Sequence, residues 1–324
     1  MSVANQRMLS LSGQDPRDYR AHALHSTSRA YPETNCYSDI VIELLHACGY
    51  EPLAAFGHLV RMDFEGDQWT FFKPPPEDLE QLFGVDIHEM QPYRPLPQQI
   101  AEQIQAGRTI IVELDSWYLP DTASTSYRTE HVKTSVAADA IDLDAQILRY
   151  FHGLGLYELS GKDYRGVFRV GESPGAATLP PYTEIARFDA GERLEGASLR
   201  AAALDLLRHH LQRRPASNPF ERVGAQLQGE LPALLGGGLD EYHAYAFATV
   251  RMAGAAFELA ADHARWLWGA KAAEVVAAME EIVNGCKALS FRLARRRAFD
   301  PEPPIAALAG AWERATAGLA ARIG

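Results

Sequence analysis

Tyr31-Pro32-Glu33-Thr34-Asn35-Cys36-Tyr37-Ser38-Asp39 leads into the apolar stretch Ile40 to Cys48, which ends at Gly49. The apolar spacing predicts a helix over 37–48 with Gly49 as its C-cap. Cys36 then stands at the first turn. There the positive end of the helix dipole and unsatisfied backbone N–H groups favour thiolate over thiol. A lone cysteine is more often packing than a nucleophile. Its position at a helix start makes this one a candidate nucleophile. Further on, Thr129-Glu130-His131-Val132-Lys133-Thr134-Ser135-Val136 places a histidine at the opening of an expected strand.

Working outward, 54–64 and 67–73 read as two strands around Glu65-Gly66-Asp67, a hairpin signal. Pro74-Pro75-Pro76 breaks the chain. A helix over 77–83 stops at Gly84, a strand covers 85–90, and a helix over 97–106 stops at Gly107. The nearly continuous apolar run 109–114 suits a strand in the middle of a sheet. A long polar loop, 115–130, carries Trp117-Tyr118-Leu119-Pro120-Asp121-Thr122. Strands are expected over 131–141, 146–151, 155–159 and 166–170. This is an α+β pattern with a mostly antiparallel sheet. Residues 171–198 form a Pro/Gly-rich connector with one strand, 183–188. Helical spacing follows over 199–213, 219–227, 242–266, 270–294 and 304–323, an alanine-rich all-α bundle. The expected organisation is a polar arm (1–30), an α+β domain (31–198) and a helical domain (199–324).

Charge marks the same boundary. The chain of 324 residues has a net charge of −11. Residues 1–198 carry 16 Lys and Arg against 29 Asp and Glu, a balance of −13, whereas 199–324 carry 15 against 13, a balance of +2. Such a chain is not built for general nucleic-acid binding. No apolar run approaches a membrane span, and Met1 to Ser10 lacks the apolar core of a signal peptide. Cys36, Cys48 and Cys286 are too scattered for a disulfide framework or a zinc site, so a reducing cytoplasm is expected and no metal.

Cysteine catalysis needs a thiolate, a base and donors for an oxyanion. A cysteine on a helix N-terminus with a distant strand histidine is the papain-like layout. Cys36 supplies the thiolate and His131 the base. The backbone N–H of Cys36 and the side chain of Asn35 are oxyanion candidates, and Tyr118 and Asp121 are substrate-binding candidates. Asp142 and Asp144 cannot orient His131, because a strand from 131 to 141 places them some 30 Å away at about 3.3 Å per residue. Asp115 and His152 return to the right end of the sheet and are the candidates for third member. Papain-like peptidases carry a glutamine six residues before the cysteine; here Ala30 stands there. Arg292, Arg295, Arg296 and Arg297 form a basic helix end. It suits the helix dipole, or an acidic partner. The alanine-rich helices offer a surface for a homodimer.

The motifs Glu33-Thr34-Asn35-Cys36-Tyr37, Asp63 to Lys73, Tyr118-Leu119-Pro120-Asp121-Thr122, His131-Val132-Lys133-Thr134 and Tyr150-Phe151-His152 resemble those of a bacterial family known only as a domain of unknown function. The first domain is similar, more distantly, to the N-terminal region of butirosin biosynthesis protein H, a papain-like acyltransferase using an acyl carrier protein. The resemblance implies Cys36 as nucleophile and His131 as base, with phosphopantetheine presented by an acidic carrier protein rather than a bound cofactor. It leaves the third residue open. The expected function is a cysteine-dependent acyl or aminoacyl transferase, or a thioesterase, acting on a carrier-protein thioester. The alternatives are a papain-like peptidase or amidase and a non-catalytic carrier-binding scaffold.

Overall fold

The computed structural model describes residues 8–171 and 180–323. Parts of the expected arm (1–7) and connector (172–179) lie outside the described residues. In chain order the first half forms β1 (Leu9–Ser10), α1 (Cys36–Ala47), β2 (Phe64–Glu65), β3 (Gln68–Trp69), α2 (Pro76–Phe83), β4 (Asp86–Met90), α3 (Leu96–Gln105), β5 (Arg108–Asp115), β6 (Lys133–Asp142), β7 (Ile147–His152), β8 (Gly155–Ser160), α4 (Gly161–Val167) and β9 (Thr183–Arg187). Helices α5 (Gly196–Leu211), α6 (Pro219–Gly236), α7 (Leu239–Ala246), α8 (Met252–Trp268), α9 (Ala273–Ala294) and α10 (Glu302–Ile323) follow. The protein is α+β, an antiparallel sheet followed by a helical C-terminal region.

The chain forms two compact units that interleave in sequence. One holds residues up to Ser26 with Asn35–Pro52 and Leu79–Arg193. The other holds Thr27–Thr34, Leu53–Asp78 and residues from Leu194 onward.

In the first unit the strand order is β4-β9-β5-β6-β7-β8, every neighbouring pair antiparallel, with β1 pairing a free stretch of β6. Strand pairing fixes which side chains share a face, because the pleat alternates with period 2. Val136 and Ala138 of β6 join Ile110, Val112 and Leu114 of β5 in a core with Ile100 and Ile104 of α3. The intervening residues Ser135 and Ala137 face the opposite side, where α1 packs on β6, β7 and β8. Small residues in β6 (Ala137, Ala138, Ala140, all fully buried) let helices approach both faces. Gly84 ends α2 with φ +67°, and a Cβ there would lie 2.4 Å from the carbonyl oxygen of Gly191, so only glycine fits.

In the second unit α8 packs against α9, and α10 against α9 and α6. Arg29 pairs with Asp262, while Glu258 accepts the backbone N–H groups of Ala30 and Tyr31 at 2.9 and 2.8 Å. A Cβ on Gly254 would lie 2.4 Å from the Tyr31 ring, which explains a glycine inside α8.

Three expectations need correction. Residues 54–64 are no strand: Pro52–Arg61 forms a 3-10 helix, and only the two-residue pairs Phe64–Glu65 and Gln68–Trp69 keep the hairpin. Val60 is the only β-branched residue in that run, so burial rather than propensity decides it. The expected strand 166–170 is instead the end of α4 and its following turn. Five residues, Gly166 to Val170, are too few for periodicity to separate helix from strand. Finally, α6 continues past the expected stop at 227 as far as Gly236, carrying Pro232 inside it.

Candidate functional site

Cys36 opens α1. The side chain of Asn35 accepts the N–H of Ser38 at 2.9 Å and so serves as N-cap. Its Nδ2, the atom that would donate to an oxyanion, donates to Ser38 Oγ at 3.2 Å. Cys36 is half-buried, and its Sγ lies 3.8 Å from Ser135 Oγ, in thiol–hydroxyl hydrogen-bond contact. The other two thiols are pushed up to about 12 by burial, Cys286 most simply, Cys48 with the Asp139 carboxylate adding to it. They are packing residues.

His131 lies two residues before β6 rather than opening it. Its Nδ1 meets Asp115 Oδ2 at 2.7 Å. Asp115 Oδ1 also accepts the N–H of Trp117 at 3.0 Å, and the Trp117 ring stacks on His131 with centroids 4.5 Å apart. Asp115 stands opposite Lys133, and Glu113 opposite Ser135, so these side chains lie on the Cys36 face of the sheet. Lys133 Nζ donates to Glu113 at 2.7 Å. No hydrogen bond joins Cys36 to His131 among the described residues. The histidine belongs to the Asp115 end of the strand, and the cysteine to Ser135, four residues further along.

His152 and Asp121, also singled out by sequence, pair with one another. His152 Nδ1 meets Asp121 Oδ2 at 2.5 Å, Nε2 meets Thr134 Oγ1 at 2.8 Å, and the Tyr150 hydroxyl donates to the other Asp121 oxygen. Tyr118 is half-buried beneath the guanidinium of Arg128, 5.4 Å from its ring centroid. It lines a cavity of about 510 Å³ together with Leu96, Leu114, His131 and Phe168. Arg292, Arg295, Arg296 and Arg297 are exposed, with Arg292 5.9 Å from the Phe299 ring centroid and Arg296 bonded to the Gly237 carbonyl.

Sequence reasoning missed Ser135 and Thr134, which touch Cys36 and His152. Nothing local distinguishes them; only the register of β6 shows which face each takes. It also missed His25. This imidazole is buried between Asp39 and Glu43 of α1, with Tyr19 also bonded to Glu43. Burial opposes its charge, but the hydrogen bonds to Asp39 and Glu43 outweigh that and raise His25 to about 9. His58 is buried, as is His210, which bonds Asp78 at 2.7 Å. No group of three or more His, Cys, Asp or Glu among the described residues is arranged to hold a metal ion.

The N-terminal domain model of DUF1839 matches residues 20–188, and the C-terminal domain model of DUF1839 matches residues 196–321. The chain belongs to the DUF1839 family. The two matches meet between 188 and 196, near the charge boundary. They place Cys36, His131 and His152 in the N-terminal DUF1839 domain, and the exposed arginines in the C-terminal one. No curated protein matches the chain. No helix of the described residues is long and apolar enough to cross a membrane.

Proposed function

We propose that this DUF1839 protein is a cysteine-dependent acyltransferase or thioesterase, on a papain-like scaffold, that takes an acyl group from a carrier-protein thioester. The observation that carries this is the half-buried sulfur of Cys36 at a capped helix N-terminus, held against a hydroxyl of the central strand. A thioester suits such a site because its leaving thiol needs little help from an acid. In the first step the Cys36 sulfur attacks the thioester carbonyl, and the pantetheine thiol departs with the proton from Cys36. In the second, an amine or water attacks the acyl-Cys36 carbonyl, its proton passes to His131, and the Cys36 sulfur leaves. Asp115 fixes His131 through Nδ1, which leaves Nε2 to receive that proton. The exposed arginines of the C-terminal domain give an acidic carrier a cationic surface.

A second reading, a non-catalytic carrier-binding scaffold, is favoured by the lack of a hydrogen bond between Cys36 and His131. Incubation with an acyl-pantetheine thioester, followed by intact mass measurement, separates the two. The enzyme reading expects one acyl adduct on the wild type, none on Cys36→Ala, and an adduct that accumulates on His131→Ala. A folded wild type that never acquires the adduct is a scaffold.

A further inference from the structure

Thr134 and Ser135 are neighbours that point to opposite faces of the sheet. Ser135 meets Cys36. Thr134 stands on the other face with Val136 and Ala138, the side covered by α3. There the side chains follow the order hydroxyl, imidazole, carboxylate. Thr134 Oγ1 is 2.8 Å from His152 Nε2, and His152 Nδ1 is 2.5 Å from Asp121 Oδ2.

The proton positions follow from the partners. An ionised Asp121 only accepts, so His152 Nδ1 carries the ring proton and Nε2 is the acceptor. The Thr134 hydroxyl then donates to Nε2. Tyr150 donates to the second oxygen of Asp121 and fixes its plane. The His152 and Asp121 side chains are 13% and 5% exposed, so water competes little for these bonds. A nucleophile bonded to a base, and that base bonded to an orienting acid, is the arrangement required of a hydrolytic triad. Thr134 itself is half-buried. Leu114, its cross-strand partner on the same face, borders a cavity of about 510 Å³ whose walls mix apolar residues (Leu96, Val167, Phe168) with charged ones (Lys133, Arg169).

We propose that Thr134, His152 and Asp121 form a second catalytic site, a hydroxyl-nucleophile triad that hydrolyses carboxylic esters. It does not depend on the Cys36 reading, since the two sites lie on opposite faces. Thr134 Oγ attacks the ester carbonyl as its proton moves to His152 Nε2. The tetrahedral intermediate collapses, the C–O bond to the alcohol breaks, and His152 returns the proton to the alcohol. Water then attacks the acyl-Thr134 ester, giving its proton to His152. The acid leaves, and the proton returns to Thr134 Oγ.

The test uses the full chain in a Cys36→Ala background, so that no reaction of that thiol contributes. A fluorophosphonate probe should add once, and peptide mapping should place it on Thr134. Hydrolysis of p-nitrophenyl butyrate should fall about 10²-fold or more in Thr134→Val, which keeps the shape, and in His152→Ala. Thr134→Ser should still take the probe, now at the serine oxygen. If Thr134→Val fails to fold, labelling of Thr134→Ser decides. Absence of any adduct, an adduct elsewhere, or undiminished hydrolysis by a folded Thr134→Val protein overturns the proposal.

Discussion

Gly166 owes its identity to a ring from another part of the chain. A Cβ there would lie 2.1 Å from Cε1 of Tyr118, and an aromatic ring moves only as a rigid plate. Gly166→Ala should therefore displace Tyr118 from the cavity wall and cost about 1–3 kcal/mol of stability, measured by urea denaturation. An unchanged midpoint would mean that the ring can swing away without loss. The cysteine and the glycine differ in legibility. Cys36 stood out because helix spacing is local. The need for glycine at 166 came from a tyrosine 48 positions earlier, and α4 itself had been expected as a strand.

At the level of elements, α1 carries the candidate nucleophile and depends on its cap. Asn35→Ala should cost about 1 kcal/mol, and Asn35→Ser, also a good cap, should recover most of it in the same denaturation measurement. Were Asn35 chiefly a substrate contact, the alanine variant would lose turnover with no loss of stability. The helix and its limits were readable, as were β4, β5, β7, β8 and β9 to within a residue or two. The pairing of β6 was not. One residue of register decides whether Ser135 or Thr134 meets Cys36. The same register puts Asp115 beside His131 and moves His152 to the opposite face, dividing two residues that sequence had offered for one role.

For the molecule as a whole, buried histidines give the two units opposite responses to pH. His58 and His263 lie in the helical unit, and burial lowers each from 6.5 to about 4. The unfolded chain binds these protons first, so that unit should lose stability as pH falls from about 6.5 towards 4. His25 in the sheet unit is raised from 6.5 to about 9, so its contribution is complete below 6.5 and is lost as pH rises through 9. Urea midpoints for each unit, read by pulsed hydrogen exchange at each pH, should show the two opposing slopes. His25→Gln should abolish the alkaline slope alone. If both units weaken together in acid, the buried histidines are not what governs them.

The sequence by itself determined the α+β class, the change to helices and the change of charge near 198, and Cys36 at a helix start. These rest on composition and on periodicities of 2 and 3.6, which are properties of neighbouring residues. Only the tertiary structure decided that 53–78 joins the helical unit, that His25 is an ion-paired core residue, and that Cys36 meets Ser135 while His152 binds Asp121 and Thr134. Those outcomes depend on strand register and burial, and both are fixed by contacts between residues far apart in the chain.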